Sequence, residues 1–358
     1  MSRVDRQSFR RGAAAALLAL MFAGMARADS LWREFVKTFV TSEGRVVDTG
    51  NGRISHSEGQ GYGMILAVAH GDRDTFERIW KWTRSNLQVR NDALLAWKWE
   101  PRGRRGVVTD MNNATDGDLL VAWALFRAAA RWEVESFREE GQKIIADVLK
   151  LAVVPSAFGP VLLPGVEGFK RSDGLVVNLS YWVFPAFRVF AKEDRDTDWM
   201  AIAASGRRLL EAAKFGRWGL PPEWLLVREN GVALPGDFPP EFGYNAIRIP
   251  MHLVWDAVTA GGNFASYREY ASSFPTIEEV KATVNLVTNL PGNDPVLPGM
   301  AGIYRLIGRS GPAGASAPTG AGDLSNQSYF SAALTLLGRL AWEEGAASAA
   351  EAEKGTHP

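Results

Sequence analysis

The segment around which this chain is organised reads Ser57-Glu58-Gly59-Gln60-Gly61-Tyr62-Gly63-Met64 and continues into the apolar run Ile65-Leu66-Ala67-Val68. Glycine occupies every second position from Gly59 to Gly63, which allows another backbone or a ligand to approach closely. The pattern predicts a helix that begins near Ser57, a favourable N-cap residue, and ends at Gly71. We interpret Glu58, in its first turn, as a catalytic acid. The plainer alternative is that Glu58 only complements the helix dipole, as most first-turn acids do.

A second polar segment reads Thr109-Asp110-Met111-Asn112-Asn113-Ala114-Thr115-Asp116-Gly117-Asp118 and leads into a strongly apolar helix, for which Thr115 is the expected cap. Asp116 and Asp118 are two residues apart, so on a helix their side chains diverge by about 200°. One of them is expected to face a ligand, and we favour Asp116. The alternative is that both acids only complement the helix N-terminus.

Glu58 and Asp116 together suggest a reaction class. Hydrolysis of a glycosidic bond usually needs two carboxyl groups, one that protonates the leaving oxygen and one that serves the opposite face of the sugar. Both residues open helices after polar loops. If these helices are neighbours, both carboxyl groups lie at the same end of the fold, and the charge of Asp116 would help to keep Glu58 protonated.

Three further segments combine aromatic and polar side chains: Leu95-Ala96-Trp97-Lys98-Trp99, Asn178-Leu179-Ser180-Tyr181-Trp182 and Glu241-Phe242-Gly243-Tyr244-Asn245-Ala246-Ile247-Arg248-Ile249-Pro250. Trp97 and Trp99 alternate, so in an extended strand they would share one face and suit the stacking of pyranose rings. The alternative is that these two indoles only pack a loop against the core.

The fold is expected to be all-α, because apolar residues recur at spacings of three and four and few segments alternate at a period of two. We predict helices over 30–41, 58–70, 75–87, 116–131, 134–153, 179–191, 197–214, 222–227, 244–259, 277–290, 299–306 and 327–344. Long polar loops precede Glu58, Asp116 and Asn245, which favours a functional role for them. We predict one helical toroid over 29–345, with its cleft formed by long loops at one end, a flexible segment over 308–322 and a flexible tail over 346–358.

The first residues resemble an export signal. Basic residues, among them Arg10 and Arg11, precede an apolar run over 13–24 and the small-residue site Ala26-Arg27-Ala28. We therefore predict a cleaved signal peptide over 1–28 and a periplasmic or secreted protein. The two arginines leave both the twin-arginine and the general secretory route open. The chain has no cysteine, so disulfides do not contribute to its stability.

The composition argues against several classes of partner. Forty basic residues balance 40 acidic ones, which disfavours nucleic acid or an anionic membrane as the partner. The four histidines are scattered without the spacing of metal ligands, and no Gly-rich segment has the context of a nucleotide-binding loop. We expect no metal, no cofactor and no membrane anchor. The 13 tryptophans fit a large core or sugar stacking.

These motifs resemble glycoside hydrolase family 8. The resemblance rests on the segments 57–63 and 114–118, on the Tyr-Asn-Ala-Ile-Arg segment at 244–248 and on the closing segment 329–337, which occur in the family's order along nearly the whole chain. It is greatest to the endoglucanases encoded with bacterial cellulose synthases. The resemblance implies an (α/α)6 barrel and an inverting endo-β-1,4-glucanase that acts on cellulose, with the synthase machinery as a further candidate partner.

The resemblance also implies roles for individual residues. Glu58 corresponds to the proton donor. Asp116 lies where the family distorts the sugar ring; some descriptions call it the nucleophile, but direct attack by water suits an inverting enzyme better, so we assign it to ring positioning and charge stabilisation. The predicted substrate-binding residues are Gln60, Tyr62, Trp97, Trp99, Asn113, Tyr181, Tyr244 and Arg248.

Asn245 departs from the family pattern, in which many members carry aspartate as the base that activates water. An amide cannot accept a proton at neutral pH, and loss of a general base typically costs about 10²–10⁴-fold in rate. One interpretation is that another carboxylate serves, with Asp237 and Glu241 nearest in sequence and Glu167 and Asp173 in another loop. The other is that the protein hydrolyses weakly and chiefly binds glucan. We favour an active enzyme. Xylan and mixed-linkage glucan remain alternative substrates, and a purely structural helical scaffold would not explain the polar loops.

Overall fold

The computed structural model describes residues 29–103, 105–256, 264–308 and 323–355, with side chains as far as residue 345. The predicted signal peptide, and all of the predicted flexible segment beyond residue 308, lie outside the described residues. Eleven α-helices are found in the described ranges. They are α1 (29–39), α2 (Ser57–Ala69), α3 (Arg73–Asn86), α4 (Thr115–Trp132), α5 (Glu135–Ala152), α6 (Phe184–Glu193), α7 (Trp199–Ala212), α8 (Arg248–Trp255), α9 (Ala265–Ser272), α10 (Pro298–Ile307) and α11 (Tyr329–Gly355).

The helices close into a ring. Helix α2 packs on α4, α4 on α6, α6 on α8, α8 on α11, and α11 returns to α2. Outside the ring, α3 packs on α2, α5 on α4 and α7 on α6, while α10 contacts both α8 and α11. Helices α2 and α4 are buried around almost their whole circumference, as expected for the inner layer, whereas α3 and α5 bury only one stripe. The described helices thus form an inner and an outer layer, the architecture of an (α/α)6 barrel, which confirms the predicted fold class.

Two glycines allow α2 and α4 to approach each other closely. A Cβ atom on Gly61 would lie 2.6 Å from the Cβ of Leu120. A Cβ atom on Gly117 would lie 2.1 Å from the hydroxyl oxygen of Ser57 and 2.8 Å from the backbone nitrogen of Glu58. Since ordinary carbon contacts are about 3.5–4.0 Å, a larger residue at either position would push the two helix starts apart.

Short antiparallel strands line the connections between the helices. They form the sheets β1-β2-β3, β4-β5, β6-β7-β8-β9 and β10-β11. Their bounds are β1 Ser55–His56, β2 Ala96–Arg102, β3 Arg105–Asn113, β4 Val153–Ser156, β5 Gly159–Leu162, β6 Lys170–Arg171, β7 Gly174–Val177, β8 Leu225–Arg228, β9 Gly231–Ala233, β10 Glu241–Phe242 and β11 Val284–Asn285. The loops of the predicted toroid therefore carry more regular structure than the sequence pattern indicated.

Two predicted helices are wrong. The segment 222–227 overlaps β8, whose first three residues are apolar and buried, and such short apolar runs have no periodicity that separates strand from helix. The segment 277–290 holds a 3₁₀ turn (Ile277–Glu279) and β11 instead, and α9 was not predicted. Helix α6 begins at Phe184 rather than 179 because Leu179–Tyr181 forms a separate 3₁₀ turn and Pro185 suits the first helical turn.

The ends of three helices also differ from expectation. The N-cap of α2 is His56 rather than Ser57, and the N-cap of α4 is Ala114, which makes no side-chain cap hydrogen bond. The hydroxyl of Thr115, the predicted cap, instead donates to the carbonyl of Leu163, 2.7 Å away. Helix α11 continues through the predicted tail to Gly355. Within the part of the chain that the structure describes, no helix is long and apolar enough to cross a bilayer.

Candidate active site

The first turns of α2, α4 and α8 meet at one mouth of the barrel, around the guanidinium of Arg248. This side chain is only 2% exposed. Its Nη1 donates a short hydrogen bond to the carboxylate of Glu58 and another, 3.1 Å long, to Oδ2 of Asp116. The hydroxyl of Tyr62 lies 3.4 Å from the same nitrogen. The two acids that the sequence singled out therefore lie together on one buried cation.

The other edge of the guanidinium faces the opposite wall of the mouth. Nη2 of Arg248 donates to the hydroxyl of Ser180 at 3.0 Å and to Oδ1 of Asn245 at 2.7 Å. The ring of Tyr181 lies beside the guanidinium, with its centroid 5.8 Å from the central carbon. Arg248 thus joins the helix starts that carry the acids to the segment in which asparagine replaces the expected aspartate.

The two acids have opposite pKa shifts. Burial, and next the charge of Glu58, raise the pKa of Asp116 well above its usual range. Burial acts in the same direction on Glu58, but Arg248, His56 and hydrogen bonds from Asp116 and Arg248 outweigh it and lower the pKa of Glu58. Of the two carboxyl groups, Asp116 therefore holds a proton more readily than Glu58 in the ligand-free protein. This corrects the expectation that Asp116 keeps Glu58 protonated, because that expectation omitted Arg248.

His56 determines where the donor helix begins. Its Nδ1 accepts the backbone N–H of Gly59 at 2.9 Å, so in the neutral ring the proton is on Nε2. Nε2 faces the carboxylate of Asp48 at 3.5 Å, and the ring meets that of Tyr329 edge-on at 5.7 Å. His56 is thus a capping residue two positions before Glu58.

Gln60 was predicted to bind substrate, and the structure corrects this. Its side chain is fully buried. The amide oxygen accepts the backbone N–H of Val46 at 2.6 Å, and the amide nitrogen donates to the hydroxyl of Thr83 at 2.8 Å. Since these partners are all internal, Gln60 ties α2 to its neighbours instead of facing the mouth.

Asn113 is likewise a structural residue. Its amide nitrogen donates to Asp118 at 2.7 Å, and its oxygen accepts the backbone N–H of Val166 at 2.8 Å. Asp118 also accepts the N–H of Leu95 at 2.8 Å, and burial raises the pKa of Asp118 to about 7. Asp118 therefore points away from Asp116 and holds the start of the loop that leads to Trp97.

The aromatic residues predicted to bind substrate differ in their exposure and in what they pack against. Tyr62 is buried against Arg248, whereas Tyr181 is half-buried and Tyr244 is 39% exposed beside Asn245. The half-buried indole of Trp97 donates to Asp110 at 2.7 Å. Trp99 packs edge-on against Trp82, with the guanidinium of Arg45 4.9 Å above its ring. The packing alternative therefore describes Trp99 better than Trp97.

Sequence reasoning missed Glu223. Its carboxylate accepts the backbone N–H of Asn245 at 2.6 Å and the side-chain amide of Asn245 at 2.5 Å. The residue was assigned to a helix that does not exist. An acid that follows Pro221-Pro222, in a loop ahead of an apolar run, is the signal that could have identified it.

Comparison with known proteins identifies the family. The model of glycosyl hydrolases family 8 matches residues 7–344. The chain belongs to this family. It is a glycoside hydrolase, as the motifs predicted.

Relatives support this family 8 assignment along most of the chain. A probable endoglucanase from Novacetimonas hansenii is 38% identical over 321 residues, which cover 87% of this chain and 90% of the relative. An endoglucanase from Cellulomonas uda is 38% identical over 273 residues, 76% of this chain and 75% of the relative. The crystal structure of the Klebsiella pneumoniae endoglucanase Cel10 superposes with a TM-score of 0.81 at 34% identity, covering 88% of this chain and 99% of that one.

Proposed function

We propose that this family 8 member is an endo-β-1,4-glucanase that hydrolyses cellulose with inversion. One observation carries the proposal: Glu58 and Asp116, from two different helices, share the buried guanidinium of Arg248 at a mouth to which Glu58 is open. Relatives named endoglucanases support β-1,4-glucan as the substrate class.

Glu58 is the proton donor in this mechanism. Its side chain is 17% exposed, against 2% for Asp116, so it is the acid that a glycosidic oxygen can reach. An oxygen placed beside Glu58 favours the form in which the shared proton lies on Glu58 and the charge on Asp116. The proton then passes to the leaving oxygen as the bond to the anomeric carbon breaks, and ionised Asp116 stabilises the positive charge that develops on the sugar ring.

The rim supplies surfaces for the neighbouring sugars. Of the predicted aromatic residues, Tyr244 is exposed and Tyr181 and Trp97 are half-buried, whereas Trp99, also half-buried, packs against Trp82 and Arg45. Aromatic rings of this kind stack on the apolar faces of pyranoses and leave the polar edges of the sugars free for hydrogen bonds. Tyr244, Tyr181 and Trp97 are the proposed binding subsites.

We further propose that the protein is exported and trims cellulose during its secretion, in association with the synthase machinery. The segment 1–28, with its arginine pair and small-residue cleavage site, supports export. The resemblance of segments 57–63 and 244–248 to endoglucanases encoded with cellulose synthases supports the association.

Product analysis tests the activity. Purified protein is incubated with carboxymethylcellulose and cello-oligosaccharides, and with xylan and mixed-linkage glucan as competing substrates. New reducing ends from the wild type and not from Glu58→Gln are expected on β-1,4-glucan, with the α-anomer appearing first by NMR. A wild type as silent as Glu58→Gln would overturn the proposal.

A second candidate function is favoured by Asn245, which cannot act as a base. In that case the protein is a glucan-binding component of the export machinery. Calorimetry with cellohexaose separates the two functions, because a binding protein retains affinity in Glu58→Gln and shows no turnover in the wild type.

A further inference from the structure

We propose that Glu223 is the general base of this enzyme. It acts in place of residue 245, which is an asparagine and has no carboxylate. This inference rests on the proposed glucanase function and assigns the group that function needs.

A continuous set of hydrogen bonds links Glu223 to the acids across the mouth. The side-chain amide of Asn245 lies between two charged groups: its oxygen accepts from Arg248 at 2.7 Å, and its nitrogen donates to Glu223 at 2.5 Å. These two partners leave only one orientation for the amide. Glu58, Arg248, Asn245 and Glu223 therefore form one hydrogen-bonded chain from the acid wall of the mouth to the opposite wall.

The carboxylate of Glu223 can accept a further hydrogen bond. Oε1 of Glu223 accepts the backbone N–H groups of Asn245 at 2.6 Å and Ala246 at 3.4 Å, and Oε2 accepts the amide of Asn245. An ionised carboxylate has about four lone-pair positions, so Oε2 retains room for a water. Glu223 is 8% exposed, and burial raises its pKa, which makes it a stronger base than a solvated glutamate.

The backbone holds Glu223 in place. Its N–H donates to the carbonyl of Glu241 at 2.8 Å, which fixes the loop after α7 against β10. Gly243 leaves room for the carboxylate, since a Cβ atom there would lie 3.1 Å from Oε1 of Glu223. A base held by several contacts keeps its geometry during turnover.

The carboxylates that were predicted from sequence have other surroundings. Asp237 is exposed and pairs with Arg171 at 2.8 Å. Glu167 and Asp173 are exposed. Glu241 contributes its backbone carbonyl to the loop of Glu223. Among the described residues, Glu223 is the acid whose carboxylate touches residue 245.

The chemical step balances without any further reactant. A water held beside Oε2 of Glu223 attacks the anomeric carbon, and its oxygen forms the new bond. The bond from that carbon to the leaving sugar breaks, and the leaving oxygen takes the proton of Glu58. The proton of the water goes to Glu223, and exchange with solvent resets both acids.

The test uses β-cellobiosyl fluoride, because fluoride leaves without protonation and the substrate therefore isolates the base from the donor. Glu223→Ala is expected to lose about 10²–10⁴-fold in kcat on both carboxymethylcellulose and the fluoride. Glu58→Gln is expected to lose activity on carboxymethylcellulose and to retain it on the fluoride. Formate, a small carboxylate, should restore activity to Glu223→Ala, and the acidic limb of the kcat/KM profile should be absent in that variant.

Asp237→Asn is the matched control, because it removes an exposed carboxylate from the nearby connection between β9 and β10, and it should keep wild-type rates. Thermal unfolding of each variant separates misfolding from lost chemistry, and Glu223→Gln provides a second variant close to the native shape. Wild-type rates in a folded Glu223→Ala or Glu223→Gln would overturn the assignment, as would a slow Glu223→Ala that formate does not accelerate. If the wild type is active in these same assays, the proposed glucanase function holds even when the assignment of Glu223 fails.

Discussion

The two walls of the mouth are built in different ways. On the acid wall, Glu58 and Asp116 stand in the first turns of α2 and α4, which touch through Gly61 and Gly117. On the opposite wall, Glu223 comes from a loop, and its carboxylate is tied by hydrogen bonds to Asn245 and Ala246, in the segment just before α8. The acid wall, which we call the first wall, is held by close helix packing. The opposite wall, the second wall, is held by polar contacts. Substitutions that disturb packing should therefore affect the first wall, and changes of charge the second.

Arg248 belongs to both walls, so its loss should have the largest effect. Arg248→Met leaves the buried Asp116 and the ring of contacts around it without their cation, and breaking a buried ion pair costs about 3–5 kcal/mol. Urea unfolding should show a loss of that size, and hydrolysis should fall below detection. The control is Arg73→Met, which removes an exposed pair with Glu77 and should cost less than about 1 kcal/mol. A loss no greater than the control would mean that Arg248 does not link the walls.

Asn245→Asp tests the charge of the second wall. The new carboxylate would lie where the amide now donates to Glu223 at 2.5 Å, and two carboxylates at that distance must share a proton. We therefore expect the single variant to be about tenfold slower than the wild type near neutral pH, a smaller loss than the complete removal of a general base causes. The double variant Asn245→Asp with Glu223→Gln, which exchanges acid and amide, should recover much of that rate. A faster single variant would show that the native chain lacks a base.

Lowering the pH should destabilise the fold through His252, a buried and neutral histidine of α8. Burial, and next the charge of Arg248, lower the pKa of His252 to about 3, whereas the unfolded chain takes up that proton near pH 6.5. Between these values the unfolded state binds more protons, so stability falls as the pH falls, by about 2 kcal/mol between pH 7 and pH 5. In His252→Leu this contribution is absent. Parallel plots of unfolding free energy against pH for the two proteins would contradict the prediction.

Gly117→Ala tests packing at the first wall. The added methyl group meets Ser57 and the backbone of Glu58, so we expect a loss of about 1–3 kcal/mol and a lower kcat on glucan. Gly302→Ala on α10 is the matched control, because its methyl group meets nothing within 4 Å. That variant should gain about 0.4–1 kcal/mol. Equal effects of the two substitutions in urea unfolding would mean that the helix starts are not tightly packed.

The first wall could be predicted from the sequence because its features are local. Capping positions, glycine spacing and the apolar stripe of α4 lie within single segments, and they placed both acids at helix starts. Gln60 and Asn113 were misassigned because a polar residue in a motif looks the same whether its partner is a sugar or a buried hydroxyl such as that of Thr83. The partner becomes visible only in three dimensions.

The second wall could not be predicted in the same way. Glu223 precedes a run of apolar residues that forms β8, and the run is too short for periodicity to distinguish a strand from a helix. Its link to Asn245 spans 22 residues and depends on how β10 holds the loop. The substitution of asparagine at 245 indicated that a carboxylate was missing, but the position of the replacement depends on the tertiary fold.

The ring closes where α11 meets α2, and the first helix of that ring cannot be completed without the last. Tyr329, at the start of α11, packs against Phe35 and Phe39 of α1 and against the capping His56. A nascent chain that has not yet emerged from the ribosome as far as residue 329 lacks this wedge beside the donor helix. The packing around the cap of the donor helix is therefore complete only once the chain includes residue 329.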